Sequence, residues 1–130
     1  MKNFLFTVFL VCVITLVFLL FSSDINDKNR RFLSRYGIKT ENKPVSFEEI
    51  EIPKSFDSVY EGYNIMQITA GLDLSAYKGK KAVRYTYKIL NFPEKCDTFA
   101  NVICVNGKPV AGDICCPKLD GFLLPLDYLK

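Results

Sequence analysis

From Phe4 to Phe21 the chain reads FLFTVFLVCVITLVFLLF, 18 residues without a charge, a proline or a glycine. One helical crossing of a hydrocarbon core needs about 20 apolar residues. Every face of this helix is apolar, whereas a helix lying on a soluble domain keeps a polar stripe. From residue 24 onward the pattern turns to mixed, amphipathic segments. The chain therefore divides into a signal-anchor or transmembrane helix (1–23), a juxtamembrane helix and linker (24–44), and a small domain (45–130).

A cleavable signal peptide carries an apolar stretch of about 7–15 residues and small residues at −3 and −1. Here the stretch is longer, and cutting after Ser22 or Ser23 would put Leu20 or Phe21 at −3. Retention is expected. Cys12 follows Val11 rather than a small residue, so it reads as an apolar lipid-facing side chain and not as a lipoprotein site. Orientation draws on two opposed signals. Lys28, Arg30, Arg31 and Arg35 beyond the helix favour a cytoplasmic domain by the positive-inside rule. Lys2 directly before the apolar run, and the neutral-to-acidic SSDIND after it, favour export. The exported, extracytoplasmic placement at the cell membrane is the expectation taken forward.

Asp24–Gly37 predicts a helix capped by Ser23 or Asp24, with Phe32, Leu33 and Tyr36 on one side and Gly37 as its stop. It either lies on the domain or extends the tether. Val45–Ile52 alternates as a strand, Val45 and Phe47 inward and then Ile50 and Ile52 inward, with a slip of phase that predicts a bulge. Pro53 ends it. A second helix starts at a Ser55 or Asp57 cap and runs to Ala70, with Phe56, Val59, Tyr60, Tyr63, Met66 and Ala70 facing a sheet; Gly71 stops it. Ala82–Leu90 is the clearest strand, with Val83, Tyr85, Tyr87 and Ile89 on one face. Asn91–Asp97 is a turn.

Asn106-Gly107 between Phe99–Val105 and Lys108–Cys116 is a strong hairpin signal, because both turn residues must accept positive φ. An even register pairs Val105 with Lys108, Ile103 with Val110 and Phe99 with Ile114. The expected core face is Phe99, Ile103, Val105, Val110 and Ile114. The apolar tail LDGFLLPLDYL is expected to fold back over an open edge. In that register Cys115 lies opposite Thr98, which makes Cys96 its diagonal neighbour, about 7–8 Å away. That is slightly long for a regular disulfide, so free, partly buried thiols are the default expectation; fraying near Pro93 and Pro117 would allow a Cys96–Cys115 or a Cys96–Cys116 bridge, Cys96–Cys115 being the pair taken forward.

Composition narrows the chemistry. A net charge of +3 is mild for a nucleic-acid binder, and no nucleic acid is expected as a partner. The chain has no His, which removes the commonest general base and metal ligand. Cys104 stands apart from the other cysteines, so no metal site and no cofactor are expected. No catalytic constellation is visible either. An enzyme would have to be thiol-dependent or hydrolytic and centred on Asp113, Cys115 and Asp120. Lys78, Lys80, Lys81, Arg84 and Lys88 form a basic patch, read as a solvated face or as an attraction to an anionic surface.

Several blocks carry a family resemblance: IEIPKSFDSVYEGYNIMQ, then GLDLSAYKGKKAVRYTYKILNFP, then VAGDICC and LDGF. Over Phe32–Leu124 they resemble the bacterial domain-of-unknown-function family 4830. The resemblance implies no activity, and it implies an extracytoplasmic setting. Ala111 before Gly112, and Cys116 in place of a small polar residue, depart from the family pattern. The fold expected is α+β: an antiparallel sheet of about four strands with one long helix on one face, behind the transmembrane helix. The function expected is a non-catalytic module, held by its membrane anchor, that binds a protein or envelope component. The surface chosen for that binding is Asp113, Cys115, Asp120, Gly121 and Phe122.

Overall fold

The computed structural model describes residues 1–93 and 96–130, with backbone alone at 20–23. Helix α1 spans Lys2–Ser34. Strand β1 is Ser46–Glu51, helix α2 is Ser58–Thr69, β2 is Lys81–Lys88, β3 is Phe99–Val105, β4 is Lys108–Cys115 and β5 is Leu123–Leu124. Short 3-10 turns occupy Leu74–Tyr77 and Leu126–Leu129. The strands form one antiparallel meander in the order β1-β2-β3-β4-β5. The sheet has five strands rather than four, because the tail supplies β5 against Ile114 and Cys115.

The helix expected over Asp24–Gly37 does not start afresh. It is the continuation of the apolar helix, so no cap is needed at Asp24. Gly37, at φ 74°, ends the turn that follows it. This lower part of α1 lies across one face of the sheet. Phe32 and Leu33 pack with Ile38, Tyr87, Ile89, Ala100, Val102, Ile114 and Leu126. Helix α2 covers the opposite face, where Ile52, Leu74, Ala82, Ile103, Val105, Val110 and Ala111 form a second core with Phe56, Tyr60 and Tyr63 against it. The sheet is thus covered on both faces, not by one long helix on one.

Asp57 caps α2 by accepting the Tyr60 N–H at 2.8 Å. The buried positions of α2 are Asn64 and Gln67, flanked by half-buried Tyr60, Tyr63 and Met66. Val59, expected inward, is exposed. Strand β1 has no bulge. It pairs evenly from Ser46↔Thr86 to Glu51↔Lys81. Its slip of phase arises because Phe47 sits with Tyr85 on the α1 side, whereas Ile50 sits with Ala82 on the α2 side.

The hairpin turn is as read, with Asn106 at φ 50° and Gly107 at φ 73°. Its register is not even. β4 has 8 residues against 7 in β3, and the pairing shifts between Ile103 and Cys104. Ile103 pairs with Ala111, Ala100 with Ile114 and Phe99 with Cys115. The expected single core face therefore splits: Ile103, Val105 and Val110 face α2, and Ile114 faces α1.

Candidate functional site

That one-residue shift decides the cysteine chemistry. With Phe99 opposite Cys115, Thr98 comes opposite Cys116 and Cys96 becomes the diagonal neighbour of Cys116. The disulfide is Cys96–Cys116, with a Cα–Cα distance of 6.3 Å, and Cys115 is free. The default of free thiols is corrected for Cys96 and Cys116, and the Cys96–Cys115 pairing with it. Cys104 is also a buried free thiol. Glu94 and Lys95, in the turn before Cys96, lie outside the described residues.

Asp113 and Cys115 sit on the α2 face of β4 and share a polar cluster. Tyr63 of α2 donates its hydroxyl to Asp113 Oδ2 at 2.6 Å. Asn101 of β3, directly across from Asp113, donates to Asp113 Oδ1 at 2.9 Å and to Cys115 Sγ at 3.5 Å. Thr86 of β2 donates to Asn101 Oδ1 at 2.7 Å. One residue from each of three adjacent strands, and one from the helix above, thus close a chain of hydrogen bonds around a carboxyl group that is 3% exposed.

Burial pushes the Asp113 carboxyl above its ordinary pKa of 3.8, and the hydrogen bonds from Tyr63 and Asn101 oppose it. Burial, and then the Asp113 charge, raise the Cys115 thiol above 9.0. A nucleophilic cysteine needs the reverse, a cationic neighbour that releases its proton. The cluster holds α2 to the sheet and keeps the thiol protonated.

The other sequence-selected residues lie apart from it. Asp120 is exposed in the turn closed by the Gly121 N–H to the Lys118 carbonyl. Gly121 is glycine for space, since a Cβ there would collide with the Cys116 carbonyl oxygen. Phe122 packs against the α1-side core, its ring stacked on Phe92 at 5.5 Å. The basic patch also disperses. Lys78 lies over the Phe56 ring at 4.7 Å, and Arg84 pairs with Glu48 at 2.9 Å. Lys81 and Lys88 end the same strand, about 23 Å apart at 3.3 Å per residue.

Three features escaped the sequence reading. Gln67 clamps the edge of β4: its Nε2 donates to the Gly112 carbonyl at 2.8 Å, and its Oε1 accepts the Gly112 N–H at 2.9 Å. A side-chain amide thus replaces the strand that β5 is too short to supply. Gly112 has to be glycine, because a Cβ would meet the Asn101 carbonyl oxygen and come within 3.0 Å of a Leu126 methyl. On the other face, Asn29 of α1 is fully buried. It donates to the Tyr87 hydroxyl at 3.0 Å and accepts from Cys104 Sγ at 3.1 Å, while Tyr87 donates to Asn26 at 2.8 Å. The sequence signal for the last of these was the fall of Asn26, Asn29 and Leu33 along one helix face.

Among the described residues, two clefts lie between α1 and the sheet. One, of about 640 Å³, is lined by Ile25, Val83, Tyr85, Cys104 and the hairpin turn. The other, of about 770 Å³, lies between α1 and the entry to β1, lined by Leu19, Asp27, Arg30, Lys43, Val45 and Phe47 among others. No group of three or more metal-ligating side chains converges among the described residues.

A five-stranded α+β domain joined without interruption to a helix of membrane-spanning length is the class that the geometry defines. The chain belongs to the family DUF4830, described as a domain of unknown function, whose profile matches residues 32–114, well over half the chain. The match opens at Phe32, inside the part of α1 that docks on the sheet. No curated protein and no solved structure matches the chain.

Proposed function

We propose that this is a single-pass membrane protein whose C-terminal domain stands outside the cell membrane and binds a protein or envelope component without catalysis. The observation that carries the anchor is the contrast within α1. Its residues from Phe4 to Leu19 are bare, Phe4 70% and Phe18 69% exposed, while Asn29 and Leu33 of the same helix are at 0%. Apolar surface of that extent needs a covering that the domain does not provide. The Cys96–Cys116 disulfide supports the outward placement, since such bonds persist in oxidising compartments. Binding is supported by the outer side of α2, where Val59, Ile65 and Ile68 are exposed on a helix whose inner side is fixed by Asn64 and Gln67.

The test uses the full chain in its own membrane. After an alkaline carbonate wash it stays in the pellet, and protease added outside intact protoplasts removes the domain. Denaturing, non-reducing thiol titration counts three free cysteines, Cys12, Cys104 and Cys115. A soluble mature chain beginning near residue 24 contradicts the anchor, and a domain protected from external protease contradicts the orientation. Cross-linking from position 68 should capture a partner that Ile65→Lys releases; capture that Ile65→Lys leaves unchanged removes this face from the reading.

A further inference from the structure

Helix α1 crosses the sheet from its far side to its near side. Leu33 packs with Ile114 of β4, Asn29 meets Tyr87 of β2 and Cys104 of β3, and Leu19 shares a cleft with Phe47 of β1. The edge strand β1 is therefore the one beside the apolar half of the helix, and β5 lies about 19 Å away across four strand spacings. Leu19 is two residues inside the end of the apolar run, about 3 Å along the helix axis. Whatever sits level with Leu19 sits at the boundary between acyl chains and headgroups.

Across the cleft, whose α1 wall runs from Leu19 at that boundary to Arg30 about 16 Å further along the axis, the domain presents Val45 and Phe47, 55% and 69% exposed, with the Phe47 ring against Tyr85 at 6.1 Å. A bare phenyl ring gains by burying its apolar area at such a headgroup-acyl boundary, and tyrosine, here Tyr85 beside it, favours the same depth. Arg30 and Lys43 line the same cleft, against the single carboxylate of Asp27, leaving one positive charge in excess.

We infer that the cleft between α1 and the start of β1 holds a phospholipid of the bilayer that carries α1, with Val45 and Phe47 entering its acyl region and Arg30 and Lys43 meeting its phosphate. The inference rests on the anchor reading and extends it. The domain does not swing above the membrane on a linker; its β1 edge rests in the surface, and the outer side of α2 is left free.

The chain contains no tryptophan, so one introduced residue is a clean reporter. The full chain is reconstituted in phosphatidylcholine–phosphatidylglycerol vesicles with lipids brominated either near the glycerol or deep in the acyl chain. F9W reports on the anchor, and deep bromines quench it. F47W, and V45W as an independent second position, lose most of their emission to the shallow bromines. L119W, in the exposed turn before β5, keeps its emission. Quenched F9W with unquenched F47W and V45W overturns the inference and leaves the anchor intact; unquenched F9W overturns both. Adding Arg30→Gln and Lys43→Gln to F47W weakens the shallow quenching, and unchanged quenching would refute the phosphate contact.

Discussion

The two faces of the sheet are built on different chemistry. On the α1 face the polar plug is neutral: Asn29, Tyr87 and Cys104 satisfy one another inside an apolar core. Burial raises the Tyr87 hydroxyl and the Cys104 thiol each to about 12, so neither ionises near neutral pH. On the α2 face the plug contains a carboxyl group, Asp113, and the helix docks through Tyr63 and Gln67 rather than through leucines. The face that α1 covers is therefore fixed mainly by apolar packing and is insensitive to pH. The face that α2 covers adds hydrogen bonds to a buried carboxyl group to its apolar packing, and is not.

The largest effect should come from the apolar face. Leu33→Ala removes a fully buried side chain between α1 and the sheet and is expected to cost about 2–5 kcal/mol. Leu10→Ala, in the bare half of the same helix, should leave domain stability within about 0.5 kcal/mol. Denaturant melts of both variants in one detergent check the pair, and equal losses would break the contrast. Next comes the disulfide. Cys116→Ser opens a loop closed across a sequence separation of 20, with an expected loss of about 3 kcal/mol. Cys115→Ser should leave the bridge formed and the reductant dependence of the melt unchanged.

On the α2 face, Gln67→Ala strands the Gly112 N–H and carbonyl at the edge of β4. Each buried group left unpaired costs about 1–3 kcal/mol, and hydrogen exchange at Gly112 should speed up. The smallest effect is one of pH. A carboxyl group whose folded pKa is raised binds a proton more readily folded than unfolded. Its contribution is full below the unfolded value of 3.8 and is lost as pH rises through the folded value. Denaturant melts across that range should show the domain gaining stability on acidification toward 3.8. The slope is at most about 1.4 kcal/mol per pH unit, the limit for a single proton, and Asp113→Asn should flatten it. Asp73, held low by its hydrogen bonds from Ser75 and Asn64, acts in the opposite sense and only below 3.8. Asn29→Leu should leave the slope as it is.

Periodicity and turn chemistry made most of the elements legible. The apolar run, the Asp57 cap, the glycine stops, the Asn-Gly hairpin and the returning tail could each be read from local residue types. Three things could not. The bulge between Ile103 and Cys104 has no residue signature, and without it the expected register slid by one and gave Cys115 in place of Cys116 as the disulfide partner. The apolar stripe of α2 was legible in Phe56, Tyr60 and Tyr63, but it took in exposed Val59 and missed Asn64 and Gln67, the buried positions, because both are polar. Gly121 and Phe122 read as a surface together with Asp120, yet Phe122 is packed on Phe92 and Gly121 is small to admit the Cys116 backbone. Asp113 beside Cys115 was legible as a pair, but its burial depends on Tyr63 arriving from 50 residues away.

The central claim is that one helix enters both the bilayer and the domain core. Hydrogen exchange on the full chain in lipid vesicles tests it most directly. The account predicts slow exchange over Phe4–Leu19 from the lipid, and equally slow exchange over Asn26–Leu33 from the sheet, matching β2 and β3. Fast exchange at Asn26–Leu33, as in a free juxtamembrane tether, would contradict it.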